Sequence, residues 1–299
     1  MSAVRFCPWP PFLCLPDHLH KQRIQIAKTL RQLLDADSPV ERFERELLLS
    51  HVFDKNRAWI WAHLEDSPVS QKQINRYSEL LERRAAGHPI AYLTGFREFY
   101  GREFQVSQDV LIPRPETELL VDLALELLPV SRIRIIDVGT GSGAIGLTLA
   151  AERPAWQITV SDISSAALRV AADNQSRLRL DQVRLLESHL LDQVLSESFD
   201  LVISNPPYIA NDDSHLLQGD LRFEPAVALS SGPDGLDLIR KLVAQALRVL
   251  KPRGWLLMEH GHDQARAVRA LLANSGFDSI RSWSDLAKIE RVTGGRVSS

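Results

Sequence analysis

The run Ile135-Ile136-Asp137-Val138 passes directly into Gly139-Thr140-Gly141-Ser142-Gly143, and helical spacing follows at once. A buried strand that feeds a glycine turn at a helix N-terminus restricts the fold more than any other feature of the chain. It calls for a parallel βα unit in which a ligand can approach the backbone closely. The surrounding pattern repeats the unit. Apolar strands are expected at 133–138, 158–160, 183–186, 201–204 and 255–259, and helices near 144–153, 165–179, 235–250 and 263–275. Such alternation reads as an α/β domain built on a mostly parallel sheet. Two last segments, about 279–284 and 290–296, are expected to form an antiparallel edge.

The strand after the glycine turn ends at Asp162, where an acid can accept hydrogens from ribose hydroxyls. Asp162 also just precedes Ser164, so simple charge complementarity at a helix start is its other reading. Gly141-Ser142-Gly143-Ala144-Ile145-Gly146 fits the dinucleotide fingerprint G-x-G-x-x-G, but the turn itself already begins at Gly139, straight after the strand. By itself the turn indicates an adenosine-containing cofactor and leaves a nicotinamide open.

A second motif, Asn205-Pro206-Pro207-Tyr208, follows the apolar run 199–204. Neither proline supplies the N–H that a central strand needs, so the strand ends at Asn205 and the Pro206 carbonyl has no obvious sheet partner. A side-chain amide, a free carbonyl and an aromatic ring thus meet at a strand end. Together they can grip a planar group carrying an NH2, with two acceptors for its hydrogens and a ring for its face. Asn-Pro is also ordinary turn punctuation.

The chain has 299 residues, 44% hydrophobic and 24% charged, as expected of a soluble globular protein with room for two domains. Its net charge of -3 lacks the overall basic footprint of nucleic-acid binders. Both cysteines, Cys7 and Cys14, lie near the start, so the body holds neither a disulfide framework nor a cysteine-built metal site, which fits a cytoplasmic protein. No metal is expected. Residues 1–20, interrupted by four prolines, read as a disordered extension rather than a signal peptide. No apolar run approaches the ~20 residues needed to cross a membrane.

Residues 21–87 read as a helical bundle. Ile24, Ala27, Leu30 and Leu34 recur at helical spacing, Ser38-Pro39 looks like a cap followed by an N1 proline, and Ser70 opens a helix that Gly87 stops. Trp59-Ile60-Trp61 serves either packing or recognition. Residues 88–112, rich in aromatics and punctuated by Gly95 and Gly101, read as a β-hairpin linker. Pro113-Arg114-Pro115-Glu116-Thr117-Glu118 then opens a helix running to about Leu128, with prolines and acids suited to a first turn.

The glycine turn, Asp162 and Asn205-Pro206-Pro207-Tyr208 together resemble Rossmann-like class I S-adenosylmethionine-dependent methyltransferases that modify planar nitrogens. With Leu111-Ile112-Pro113-Arg114-Pro115-Glu116-Thr117-Glu118, Arg222-Phe223-Glu224-Pro225 and the ending Glu290-Arg291-Val292-Thr293, Gly295-Arg296, the chain from about residue 20 onward resembles the bacterial peptide chain release factor glutamine N5-methyltransferase family. Asn-Pro-Pro-Tyr alone is shared with adenine-N6 and guanine-N2 methyltransferases. The combination is more specific.

The resemblance implies a seven-stranded methyltransferase domain over 113–299, a substrate-recognition role for the domain 21–87, and a monomer. It implies methyl transfer from S-adenosyl-L-methionine, leaving S-adenosyl-L-homocysteine, to the glutamine amide nitrogen of the Gly-Gly-Gln motif of release factors, without direct nucleic-acid contact. Gly139, Thr140, Gly141, Ser142 and Gly143 would line the cofactor's methionine and ribose part, Asp162 would hold its ribose hydroxyls, and Leu190 would pack on its adenine. Asn205, also beside the cofactor, would hold the glutamine with Pro206, Pro207 and Tyr208, and Asn205, Pro206 and Tyr208 would carry the catalysis. Relatives place an acid near the end of the third strand for the adenine amino group. Here Glu187-Ser188-His189-Leu190 puts a histidine there. A ribosomal-protein glutamine and a nucleic-acid base are the alternative substrates.

Overall fold

A computed structural model describes residues 29–66, 69–195 and 198–298. The expected extension, Cys7, Cys14 and the helix start at Ile24 and Ala27 lie outside the described residues. The chain divides into two compact units, Met1–Glu82 and Arg83–Ser299.

The first unit is helical, with α1 (Leu30–Leu34), α2 (Arg42–Phe53), α3 (Arg57–Ala62) and most of α4 (Gln71–Ala85). Leu34, Leu48, Leu49, Ile60, Ile74, Tyr77 and Leu80 are among its fully or almost fully buried side chains. Ser70 and Gln73 open α4 reciprocally, each side chain accepting from the other's backbone N–H. The expected cap at Ser38-Pro39 is not formed. The Ser38 hydroxyl accepts from the Val40 N–H at 3.2 Å and closes a local turn, Val40 is buried, and α2 starts only at Arg42. Trp59-Ile60-Trp61 divides between the two readings: Ile60 is fully buried, Trp59 stacks on the His63 ring, and Trp61 is 47% exposed.

The second unit opens with a short helix, α5 (Ile90–Thr94), where only strands were expected, because the Gly95 αL cap ends a single turn begun after Pro89. The hairpin β1 (Phe96–Phe99) and β2 (Arg102–Gln105) follows, joined by Tyr100 and Gly101, both at positive φ as a tight two-residue turn requires. A 3-10 turn at Pro115–Thr117 leads into α6 (Glu118–Leu127). Then come β3 (Arg134–Val138), α7 (Ala144–Glu152), β4 (Gln157–Asp162), α8 (Ser165–Leu178), β5 (Arg184–Glu187) and β6 (Phe199–Ser204). The chain closes with α9 (Asp237–Val249), β7 (Leu250–Glu259), α10 (Ala265–Asn274), β8 (Phe277–Ser284) and β9 (Glu290–Val297).

The sheet order is β5-β4-β3-β6-β7-β9-β8, parallel from β5 to β7, with β9 antiparallel to both neighbours. Successive strand residues face opposite layers. Ile135 packs with Leu120, Val121 and Leu147 from α6 and α7, whereas Ile136 packs with Ile239, Leu242 and Val268 from α9 and α10. Ala167 and Val170 of α8 pack with Val106, Val110 and Ile112, which brings the linker beside the sheet's C-terminal edge. Strand order reverses between β3 and β6, and ligands of such sheets bind in the crevice at that reversal. Among the described residues no helix is long and apolar enough to cross a membrane.

Candidate active site

At the crevice, Gly139 and Thr140 both donate their N–H groups to the Ser161 carbonyl at 2.9 Å, fastening the turn to β4. Gly139, Gly141 and Gly143 take φ of 70°, 55° and 84°, a backbone that side chains resist. Beneath the turn, Asp137 Oδ2 accepts from the Thr140 hydroxyl at 2.5 Å and the Gly146 N–H at 3.0 Å. Burial pushes the Asp137 carboxyl up to about 7, against the lowering effect of those two bonds. Its Oδ1 is buried with no hydrogen-bond partner among the described residues. Asp162 accepts from the Gly141 N–H through Oδ2 and from the Ser164 N–H through Oδ1, each at 2.9 Å, and burial raises its pKa.

A cleft of about 850 Å3 opens above these strand ends. Gly139, Gly141, Asp162, Leu190, Asn205 and Pro207 line it. A Cβ added to Gly139 would meet nothing within 4 Å, so that backbone stands open to its surroundings. Thr140, Ser142 and Gly143 are not among the cleft's lining residues and support the turn. Thr140 bonds Asp137, the buried Ser142 accepts from Asn174 Nδ2 at 2.9 Å, and Gly143 is the N-cap of α7. His189 lines the cleft with its ring Nδ1 3.2 Å from Asp192 Oδ2, whereas Glu187 does not reach it. Asp109, Val110 and Leu111 form another wall. They come from the linker, where no periodic pattern marks them as cleft residues.

A smaller cavity of about 360 Å3 adjoins the cleft, lined by Arg114, Pro206, Tyr208 and Leu221. Leu111, Asn205, Pro207 and Ala228 belong to both. Asn205 and Pro207 therefore stand where the two spaces meet. The end of β6 is fixed there by Ser204, whose hydroxyl donates to the Val138 carbonyl at 2.7 Å.

Behind Asn205 lies a chain of hydrogen bonds that the sequence did not disclose. Asn205 Nδ2 donates to Thr117 Oγ1 at 3.1 Å, and the Thr117 hydroxyl donates to Glu259 Oε2 at 2.7 Å. Tyr208 Oη donates to Glu259 Oε1 at 3.1 Å. Burial pushes the Glu259 carboxyl up to about 7, while the Thr117 and Tyr208 bonds and the Arg291 charge pull the other way. Burial, followed by the adjacent Glu259, raises the Tyr208 phenol far above its ordinary range and keeps it protonated. Glu224 anchors the approach from the linker by accepting the Ile112 N–H at 3.0 Å and pairing with Arg114.

Residues 116–227 match the family model described as the methyltransferase small domain, and residues 25–95 match the PrmC N-terminal domain. The chain is 48% identical over 265 residues to the release factor glutamine methyltransferase of Xylella fastidiosa strain 9a5c, covering 88% of this chain and 96% of that protein. It is 44% identical over 269 residues to the release factor glutamine methyltransferase of Salmonella typhimurium, covering 90% and 96%. Among solved structures, a methyltransferase from Pyrococcus furiosus superposes with a TM-score of 0.52 at 16% identity, covering 75% of this chain and 99% of that one, a likeness of fold alone.

Proposed function

The chain belongs to the release factor glutamine methyltransferase family, and from that premise we propose that it methylates the side-chain amide nitrogen of the glutamine in the Gly-Gly-Gln motif of peptide chain release factors. It is an S-adenosylmethionine-dependent methyltransferase. The observation that carries the site assignment is the meeting of a larger and a smaller cavity at Asn205 and Pro207. One space suits the methyl donor, the other a single amide side chain.

The cleft residues fit the donor. Asp162 offers a carboxylate to ribose hydroxyls, Gly139 and Gly141 offer close backbone approach, and Leu190 offers an apolar face to adenine. His189, tied to Asp192, stands where relatives place an acid, so adenine packing on Leu190 takes a larger share here. S-adenosylmethionine supplies a methyl group on a positively charged sulfur, so the N–C bond can form as the C–S bond breaks, with sulfur keeping the electron pair and nitrogen releasing a proton.

What the protein must supply is a competent nitrogen. An amide lone pair is delocalised into its carbonyl. Acceptors on both N–H bonds, from the Asn205 side-chain oxygen and the Pro206 carbonyl, return electron density to nitrogen and aim it at the larger cavity. Positioning and preorganised dipoles then provide most of the rate gain. Tyr208, neutral and held by Glu259, offers its ring to the amide plane.

The first unit is read as the recognition domain, on the 25–95 match and on its exposed aromatics. Phe43 is 52% and Trp61 47% exposed, with Arg57 over the Phe43 ring and Arg42 over the Trp61 ring. Exposed aromatics flanked by arginines are the composition of protein-binding surfaces.

Incubation with labelled S-adenosylmethionine and, separately, purified release factor, ribosomes and DNA, followed by peptide mapping, tests this function. Label on the Gly-Gly-Gln glutamine is expected. Label confined to a ribosomal protein or a base would overturn it.

A further inference from the structure

We propose that Thr117 and Glu259 are positioning residues that lock the Asn205 side-chain amide with its oxygen toward the substrate, and that this lock makes the site select glutamine over glutamate. The inference rests on the function proposed above and adds to it the origin of amide selectivity.

The number of hydrogens available decides the orientation of the amide. A threonine hydroxyl carries one hydrogen, and an ionised carboxylate carries none. Glu259 Oε2 lies 2.7 Å from Thr117 Oγ1, so the single Thr117 hydrogen goes to Glu259. Thr117 Oγ1 is left with acceptor capacity only. Asn205, 3.1 Å away, must then turn its NH2 toward Thr117, which leaves Oδ1 as the atom available to the cavities. Oxygen and nitrogen of an asparagine are told apart by such partners. With Glu259 ionised, the partners permit one orientation.

The consequence is a site lined by acceptors. Asn205 Oδ1 and the Pro206 carbonyl together match the two hydrogens of a glutamine NH2. A glutamate carboxylate has no hydrogen for either and would be repelled by both. A site built from buried hydrogen-bonding groups discriminates strongly against an analogue that leaves them unpaired. With the amide reversed, Asn205 would present donors and favour the acid.

Glu259 can hold this arrangement because it receives two hydroxyl donors, Thr117 on one oxygen and Tyr208 on the other. Arg291 of β9 supplies the favourable charge near it, Glu116 of the 3-10 turn the unfavourable one. His260, next along, is occupied by Gly261 and Thr293. A proton on Glu259 would make one carboxyl oxygen a donor facing a hydroxyl that already donates. Thr117 could then hand its hydrogen to Asn205, and the lock would be lost. Turnover should therefore rise with pH through about 7, the value to which burial lifts Glu259.

The test uses the full chain saturated with S-adenosylhomocysteine, titrated calorimetrically with release factor and with release factor carrying glutamate in place of the motif glutamine. Wild type should prefer the glutamine form. Thr117→Val, which keeps shape and removes the hydroxyl, should reduce that preference by roughly 10- to 100-fold, the worth of one hydrogen bond to a charged group. Thr117→Ser should restore it, and both should bind S-adenosylhomocysteine like wild type. Glu259→Gln should flatten the rise of kcat with pH. A wild-type preference ratio in Thr117→Val overturns the lock while leaving the function intact. Absence of label on release factor with the wild-type protein removes the function, and the lock with it.

Discussion

The side chain of Glu224 accepts the backbone N–H of Ile112 at 3.0 Å, joining segments 112 residues apart in sequence. The same carboxylate pairs with Arg114, and its side chain is completely buried whereas Arg114 keeps 30% exposure. One acid thus fixes both ends of the stretch that delivers Leu111 and Arg114 to the cavities. Glu224→Ala should cost about 2–3 kcal/mol, below the ~3–5 kcal/mol for breaking a fully buried pair because Arg114 can turn to water. Urea unfolding measures it, and a change within about 0.5 kcal/mol would mean that the pair contributes little.

Asn205→Ala should remove most turnover while leaving S-adenosylmethionine affinity within a few-fold of wild type. The side chain touches both cavities, but the donor's cleft keeps Asp162, Leu190 and the glycine backbone. Single-turnover kinetics with release factor, beside a cofactor titration, separate the two effects. Near-normal turnover would take Asn205 out of the mechanism.

The second unit was legible because its strands are short apolar runs that end in punctuation. Val138 meets Gly139, Ser204 meets Asn205-Pro206, and the predicted strand ends fall within a residue or two of those observed. Asp162 and Leu190 line the cleft. Thr140, Ser142 and Gly143, which the resemblance gives to the cofactor, are not among the residues lining the cleft. Glu259 carried no signal. It ends an apolar strand like any boundary residue, and only the fold brings it to Thr117, 142 positions away. Ser38-Pro39 misled because a serine hydroxyl can close a turn as readily as cap a helix.

Gly235 has φ of 74°, and a Cβ there would sit 2.1 Å from the Tyr208 carbonyl oxygen. That carbonyl is also held by Gln264 Nε2 at 2.9 Å, so it has little freedom to retreat. Gly235→Ala should displace Tyr208 and add backbone strain of ~1 kcal/mol or more. We expect kcat to fall while cofactor affinity stays close to wild type, because Tyr208 lines only the smaller cavity. An equal loss of both would show that the disturbance spreads through the whole sheet edge.

Asp137 gives the fold a pH dependence of definite sign. Its carboxyl titrates at 3.8 when free and at about 7 in the folded protein, where burial is the dominant cause. Between those values the folded chain holds more protons than the unfolded one, so stability falls as pH rises. The contribution is fully present below the unfolded value and is lost as pH climbs through about 7. Glu259 shifts in the same direction, from 4.5 to about 7, so it adds to the slope. Asp137→Asn stays neutral throughout and removes the Asp137 share alone. Its Tm should drop less than that of wild type between about pH 6 and about pH 8, whatever the absolute cost of the substitution. Thermal unfolding across that range compares the two slopes, and parallel lines would show that Asp137 does not titrate there.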